Sequence, residues 1–181
     1  MRSRLAILQA TLDLIGQRGF AAVNMTSVAN AAHVSRQTVY SNFGSREQLV
    51  SQAVAMVALE AWGSVKDRLD ETRTALEYVV EMLVAGRELA RREPVLRALL
   101  RAEGGNPIFD ENMMSRARPV VVDMLSPMRA RAPRLADSAS FAGLVEMVAR
   151  LGLSIVLFDS DMVQADDDLR RFLRHCLTPF L

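Results

Sequence analysis

The chain has 181 residues, 50% of them apolar, one cysteine and a formal net charge of +1. That length suits one ordinary domain or a small module joined to a larger one, with ample material for a core. The lone Cys176 excludes an intrachain disulfide and fits a reducing cytoplasm, and neither a secretory leader nor a bilayer-spanning run is evident.

The most apolar stretch, Leu151 to Phe158, is much shorter than the roughly 20 residues a bilayer needs. A cytoplasmic protein without a membrane partner is therefore expected. The charge divides unevenly. Residues 1–48 carry five arginines (Arg2, Arg4, Arg18, Arg36, Arg46) against Asp13 and Glu47, whereas the remainder is slightly acidic. A polyanion would meet the N-terminal quarter first.

The spacing predicts a first helix from about Arg2 to Arg18, with Ile7, Leu8, Thr11, Leu14 and Ile15 on one face. Gly19 ends it, and Phe20 packs back to set the entry to the next helix. Asn24 is a good N-cap for a two-turn helix whose apolar positions are Met25, Val28, Ala29 and Ala32. His33 and Val34 make a turn, Ser35 caps again, and RQTVYSNF follows with Val39 and Phe43 on one face. Arg36, Gln37, Tyr40 and Ser41 fall on the opposite face, flanked by Thr38 and Asn42. A helix this short must be anchored by neighbours, which leaves its polar side outward. Such a pair of short helices is the layout of a helix-turn-helix, whose second helix enters the DNA major groove. Gln37 and Arg36 are suited to base edges, an amide to adenine and a guanidinium to guanine, and Thr38 to a thymine methyl. Ser41 and Asn42 suit either bases or phosphates.

Gly44 and Ser45 break and recap the chain, with Gln48 three positions on, and a long helix runs to about Trp62. From about Asp70 the pattern is helical throughout. Helices are expected over Arg73 to Glu93, Pro94 to Glu103, and 107–132 with interruptions at Pro119 and Pro127. Asp137 to Asp159 is apolar around most of its circumference, and Asp166 to Leu177 follows. These last two helices are the candidates for self-association, because two copies would bury both in a four-helix bundle. The residues involved are Phe141, Leu144, Val145, Val148, Leu151, Ile155, Leu169, Phe172, Leu173 and Cys176.

The run GFAAVNMTSVANAAHVSRQTVYSNFGSREQLV resembles the DNA-binding domain of the TetR family of bacterial transcriptional regulators. The likeness is carried by Gly19-Phe20, Val28-Ala29, Val34-Ser35, Thr38-Val39-Tyr40, Phe43 and Ser45 to Leu49, over about the first 50 residues. It departs at His33, where the family has glycine, and at Arg46, where lysine is commoner. The resemblance implies an all-α fold of about nine helices, with an N-terminal three-helix DNA-binding domain (1–45) and a larger ligand-binding and dimerisation domain (46–181). It assigns Thr26, Tyr40 and Arg46 to phosphates. It implies a homodimer on a palindromic operator of double-stranded DNA, repression in the family's usual manner, and release by a small apolar effector. Trp62, Tyr78, Met82, Leu100, Phe109, Met113, Val121 and Met147 are the expected effector-lining residues, since methionine and aromatic side chains make adaptable apolar walls.

Enzymatic readings find little support. His175 and Cys176 are adjacent and point apart on a helix, so they are no metal pair. Starting at Asp159, the acidic run has Gln164 where a calcium loop needs glycine and Arg170 where it needs a carboxylate. No glycine-rich phosphate loop or GxSxG is present. A non-enzymatic regulator with no cofactor and no metal is the expectation, and a protein-only helical adaptor is the rival.

Overall fold

The computed structural model describes residues 2–98, 113–132, 137–158 and 160–181. Among the described residues the chain is all helical, with nine α-helices and two 3₁₀ turns: α1 (Arg2–Arg18), a turn at Phe20–Ala22, α2 (Met25–Ala31), α3 (Arg36–Phe43), α4 (Arg46–Asp70), α5 (Ala75–Arg92), α6 (Pro94–Ala98), α7 (Met113–Leu125), a second turn at Ser126–Arg131, α8 (Ser138–Leu157) and α9 (Asp166–Leu177). The all-α architecture read from periodicity is the one observed.

The chain divides into two compact units, Met1–Trp62 with Arg91–Glu111, and Gly63–Ala90 with Asn112–Leu181. The expected domain break at 45/46 coincides with the first residue of a continuous α4, whereas the two compact units part at 62/63 within that helix. The reason is burial: Leu49, Val50 and Ala53 on its first turns belong to the same core as the helix-turn-helix.

In the first unit, Ile7, Ile15, Phe20, Val28, Val39, Phe43 and Leu49 are almost wholly enclosed. Each large side chain removed from water contributes about 1.5–3 kcal/mol before entropy is counted, and Val39 and Phe43 are the buried anchors by which α3 joins this core. Thr11, fully buried on α1, satisfies its hydroxyl by donating to the Ile7 carbonyl at 2.8 Å.

In the second unit, α5 is buried on most sides, including Val79, Val80, Val84 and Ala85. Tyr78 donates to the Met124 carbonyl at 2.7 Å, and Arg131 stacks 5.6 Å from its ring while bonding the Thr72 carbonyl and hydroxyl. Burial raises the Tyr78 phenol above its ordinary pKa. Arg170 of α9 forks onto Glu81 of α5 at 2.8 and 3.1 Å and pairs with Asp167 at 2.9 Å. The Glu81 hydrogen bonds, first, hold its guanidinium protonated above even the usual arginine range.

Two local expectations are corrected, and a third falls beyond the described residues. Pro119 lies inside α7 without ending it, and the change to 3₁₀ geometry comes at Ser126-Pro127; there the Ser126 hydroxyl bonds the Val122 carbonyl, capping the helix from within. The sixth helix is described only over Pro94–Ala98, so its expected extension to Glu103 lies outside the described residues. Finally, α8 is one uninterrupted 20-residue helix of mean hydropathy 1.7, long and apolar enough to cross a membrane by length and composition, with 28% of it buried in the chain. Counting only from Leu151 understated it, because Arg150, which bounds that run, does not interrupt the helix. Its Glu146 is nonetheless paired with Arg150 and Arg118 at 2.7 Å each, charges that a bilayer centre disfavours by several kcal/mol apiece.

Candidate nucleic-acid interface

The first unit builds α2 and α3 from their caps inward. Asn24 Oδ1 accepts from the Thr26 and Ser27 amides at 3.0 and 2.9 Å, and Ser27 Oγ accepts the Asn24 amide at 3.0 Å. Both orphan donors at the start of α2 are thereby satisfied reciprocally, a contribution of about 1 kcal/mol. The turn closes with Val34 N–H bonded to the Ala29 carbonyl at 3.0 Å and His33 at φ 53°, the left-handed conformation the sequence foresaw there. Ser35 Oγ then accepts the Thr38 amide at 3.1 Å and lies 2.8 Å from the Thr38 hydroxyl. Gly44, at φ 71°, ends α3, and a Cβ there would come 3.1 Å from Gln48 Oε1.

Between those caps α3 is two-faced. Val39 is 0% and Phe43 2% exposed, whereas Arg36, Gln37, Tyr40 and Ser41 face solvent and Thr38 and Asn42 are half-buried. Arg36 and Tyr40, one turn apart, form a unit: the guanidinium donates to the phenol oxygen at 3.2 Å and lies 5.3 Å from the ring centroid. Ser41 Oγ and Asn42 Nδ2 both donate to the Thr38 carbonyl, at 3.0 and 2.8 Å. Their free hydrogen-bonding capacity is correspondingly reduced. Thr26 is exposed at the start of α2, with its amide already taken by Asn24.

Arg46 has a partner the sequence did not suggest. Its Nε and Nη2 donate to the Val23 and Phe20 carbonyls, each at 2.6 Å. The side chain thus clasps the 3₁₀ turn that precedes α2 to the start of α4. Arg4 was missed altogether. Its guanidinium donates to the Asn42 carbonyl in the last turn of α3 at 3.0 Å, bonds the Gln52 side chain, and stacks 4.8 Å over the Phe43 ring. Placed there, a cation also offsets the negative end of the α3 dipole. The partners are 38 and 48 positions away, so no local signal could reveal them.

Residues 7–53 match the family described as bacterial regulatory proteins, tetR family, and the matched segment is the one that carries both caps, both anchors and the turn. The chain is a member of the TetR family. Over 97% of its length it is 27% identical to the HTH-type transcriptional regulator AlkX of Mycobacterium tuberculosis, of which the match covers 83%. An HTH-type transcriptional repressor of the same species is 31% identical over 127 residues, 70% of this chain and 58% of that one. Among solved structures, the TetR family repressor AlkX from Dietzia sp., implicated in biodegradation of n-alkanes, superposes with a TM-score of 0.68 at 26% identity, covering 98% of this chain and 94% of that one. The multidrug binding protein EbrR shares the fold, with a TM-score of 0.66 at 18% identity over 99% of this chain and 90% of that one. This TetR-family protein is a DNA-binding transcriptional regulator rather than an enzyme.

The residues expected beyond the helix-turn-helix fare unevenly. Of the expected effector-lining set, Leu100 and Phe109 lie outside the described residues, and Trp62 belongs to the first unit. Tyr78 and Met82 are buried, and Met113, Val121 and Met147 half-buried, in the second. Of the expected dimer residues, Phe141, Leu144, Val145, Val148, Leu169 and Leu173 are turned into the chain's own core, each 6% exposed or less. That corrects the sequence reading, which could see that α8 is apolar on most sides but not which side its own chain covers. Leu151 and Ile155 are half-covered, and Phe172 and Cys176 remain outside.

Proposed function

We propose that this regulator binds a palindromic operator as a homodimer, acts as a repressor, and lets go when a small, mostly apolar molecule occupies its second unit. The observation that carries the DNA reading is the α3 face: four exposed polar side chains on a helix fixed by caps at both ends and two buried anchors. A rigid strip of this kind loses little entropy on entering a major groove. Gln37 and Arg36 read base edges and Thr38 a thymine methyl, while Thr26 and Tyr40 hold phosphates and Ser41 and Asn42 supplement them. Arg46 acts mainly as the clasp described above, which replaces the phosphate role first assigned to it. The N-terminal segment carries the DNA function and the rest the effector and pairing functions, and the protein works in the cytoplasm, where the chromosome is.

Pairing is supported by the second half of α8, whose apolar residues its own chain only half covers. That half, with Leu151, Leu153 and Ile155, and the outer side of α9, with Phe172 and Cys176, form the proposed face. Release by an apolar effector is supported by the names of similar proteins, one implicated in n-alkane degradation and one multidrug binding.

Selection of bound fragments from genomic DNA, followed by gel shifts on the recovered site and a scrambled version, tests the reading together with sedimentation. The expected result is a dimer, an inverted repeat, and a preference for the site of about a thousandfold or more at physiological salt. A monomer that grips every duplex equally would refute it.

A further inference from the structure

Val39 and Phe43 anchor α3 from a single stripe, four residues apart along its axis. Apolar burial is non-directional, so it fixes how deep the helix sits but leaves its roll about that stripe soft. The caps at Ser35 and Gly44 draw on partners within α3 itself and do not restrain roll either. Base readout tolerates little of it. A side-chain tip about 6 Å from a helix axis moves about 1 Å for a roll of about 10°, whereas a binding constellation keeps its geometry only within roughly 0.5 Å.

Arg4, on the first turn of α1, supplies a directional contact. Its Nη1 donates to the Asn42 carbonyl at 3.0 Å, its Nη2 bonds Gln52 Oε1 on α4, and its plane lies 4.8 Å from the Phe43 ring centroid. In the last turn of α3 the Tyr40 and Phe43 carbonyls are met by the amides of Gly44 and Ser45, which follow directly in the chain. The Asn42 carbonyl is met instead from α1, by a cation suited to the negative end of the helix. Three helices of the first unit thus meet on one guanidinium, whose rigid fork serves two acceptors at once.

We propose that Arg4 is a positioning residue for base readout: it sets the roll of α3, and with it the aim of Arg36 and Gln37, without bonding DNA itself. This rests on the reading of α3 as the strip that enters the groove. Two arms and one face of the guanidinium are already engaged within the protein. Arg4 is exposed, so its removal costs the fold little. A soft roll needs only a weak restraint, and the consequence of losing it falls on alignment rather than on stability.

The test compares the full chain with Arg4→Met, Arg4→Lys and Gln52→Leu on the selected operator and on scrambled duplex, across a salt series. In Arg4→Met the ratio of operator to scrambled affinity should fall about tenfold, the discrimination that one misaligned bidentate base contact forfeits. Scrambled-duplex affinity and the salt slope should stay as they are. A merely structural loss would lower the folded fraction and scale both affinities alike, leaving the ratio untouched. Lysine, which cannot fork onto two acceptors, should restore the ratio only in part. Gln52→Leu, which leaves every charge in place, should lower the ratio in the same direction, and Arg4→Met with Gln52→Leu should be no worse than Arg4→Met alone. An undiminished ratio in Arg4→Met overturns the proposal, as do strictly additive losses in the double variant. So does a salt slope shallower by about 0.9 per copy with full rescue by lysine, the signature of a phosphate ligand. If the unaltered chain itself shows no preference for the operator, the groove-reading role of α3 fails first, whereas a preference kept in Arg4→Met sinks this proposal alone.

Discussion

Replacing Arg46 by methionine separates two roles that the sequence alone could not. In the structure the guanidinium makes two charge-assisted hydrogen bonds of 2.6 Å, to the Val23 and Phe20 carbonyls. Bonds to charged groups contribute about 1.5–3 kcal/mol each, and the half-buried position lets water recover part of that. Methionine keeps the apolar stem but no donor, so a loss of about 2–3 kcal/mol from the first unit is expected. The 3₁₀ turn at Phe20–Ala22 sets where α2 begins, so slackening it also loosens α3. Urea unfolding followed by circular dichroism reads the stability. Operator affinity measured across a salt series reads the mode. As a clasp, Arg46 affects affinity at every salt concentration, by about tenfold or more, and leaves the slope of log K against log salt unchanged. As a phosphate ligand it would contribute about 0.9 to that slope per copy, or roughly 1.8 in a dimer. Lysine sharpens the contrast: its single ammonium cannot fork onto two carbonyls but binds phosphate well. An unaltered urea midpoint, a shallower salt slope in the methionine variant and full rescue by lysine would refute the clasp.

His33 sits at φ 53°, so His33→Val should lower stability by about 1–2 kcal/mol in thermal unfolding. His33→Gly should be neutral or stabilising by up to about 1 kcal/mol, strain relief being partly offset by the freer unfolded chain. Gln37→Ala should cost about 1–3 kcal/mol on the preferred operator and relax choice at one base pair, seen by competition with single-position variants. Tyr40→Phe, in contrast, should weaken all duplexes alike by about 1 kcal/mol while preserving the preference, because it removes a phosphate contact rather than a base contact. Asp137 caps α8; the Ser140 hydroxyl and amide, then the Ala139 amide, hold its carboxyl below the ordinary range. Its contribution is complete above the unfolded pKa of about 4 and disappears as pH falls through the lower folded value. Asp137→Asn should therefore flatten the acid limb of stability measured by urea titration between about pH 5 and 2.

Much of the site was legible because it is local. A cap, a turn and an i, i+4 pair are made by residues within a few positions of one another, so Asn24, Ser35, Val39, Phe43 and the helix bounds of α1, α2, α3 and α9 follow from spacing and side-chain chemistry. Even the strain at His33 was readable, since a non-glycine stands where the turn needs positive φ. The exposed face of α3 is the complement of its two anchors and comes with them.

What tertiary structure decided is everything that depends on which surfaces meet. Periodicity shows that α8 is apolar nearly all round, but only packing turns Leu144 and Val148 inward and leaves Leu151 half-covered. Arg46 reads as a cation for phosphate, and Arg4 as one more N-terminal charge, until folding brings backbone carbonyls from distant positions within reach. A cavity lined by Arg87 likewise arises where α5, α8 and α9 fail to fill a space. Hydrogen bonds along a helix are set by neighbours in the chain, whereas the partners of a long side chain are set by whatever the fold places at its end.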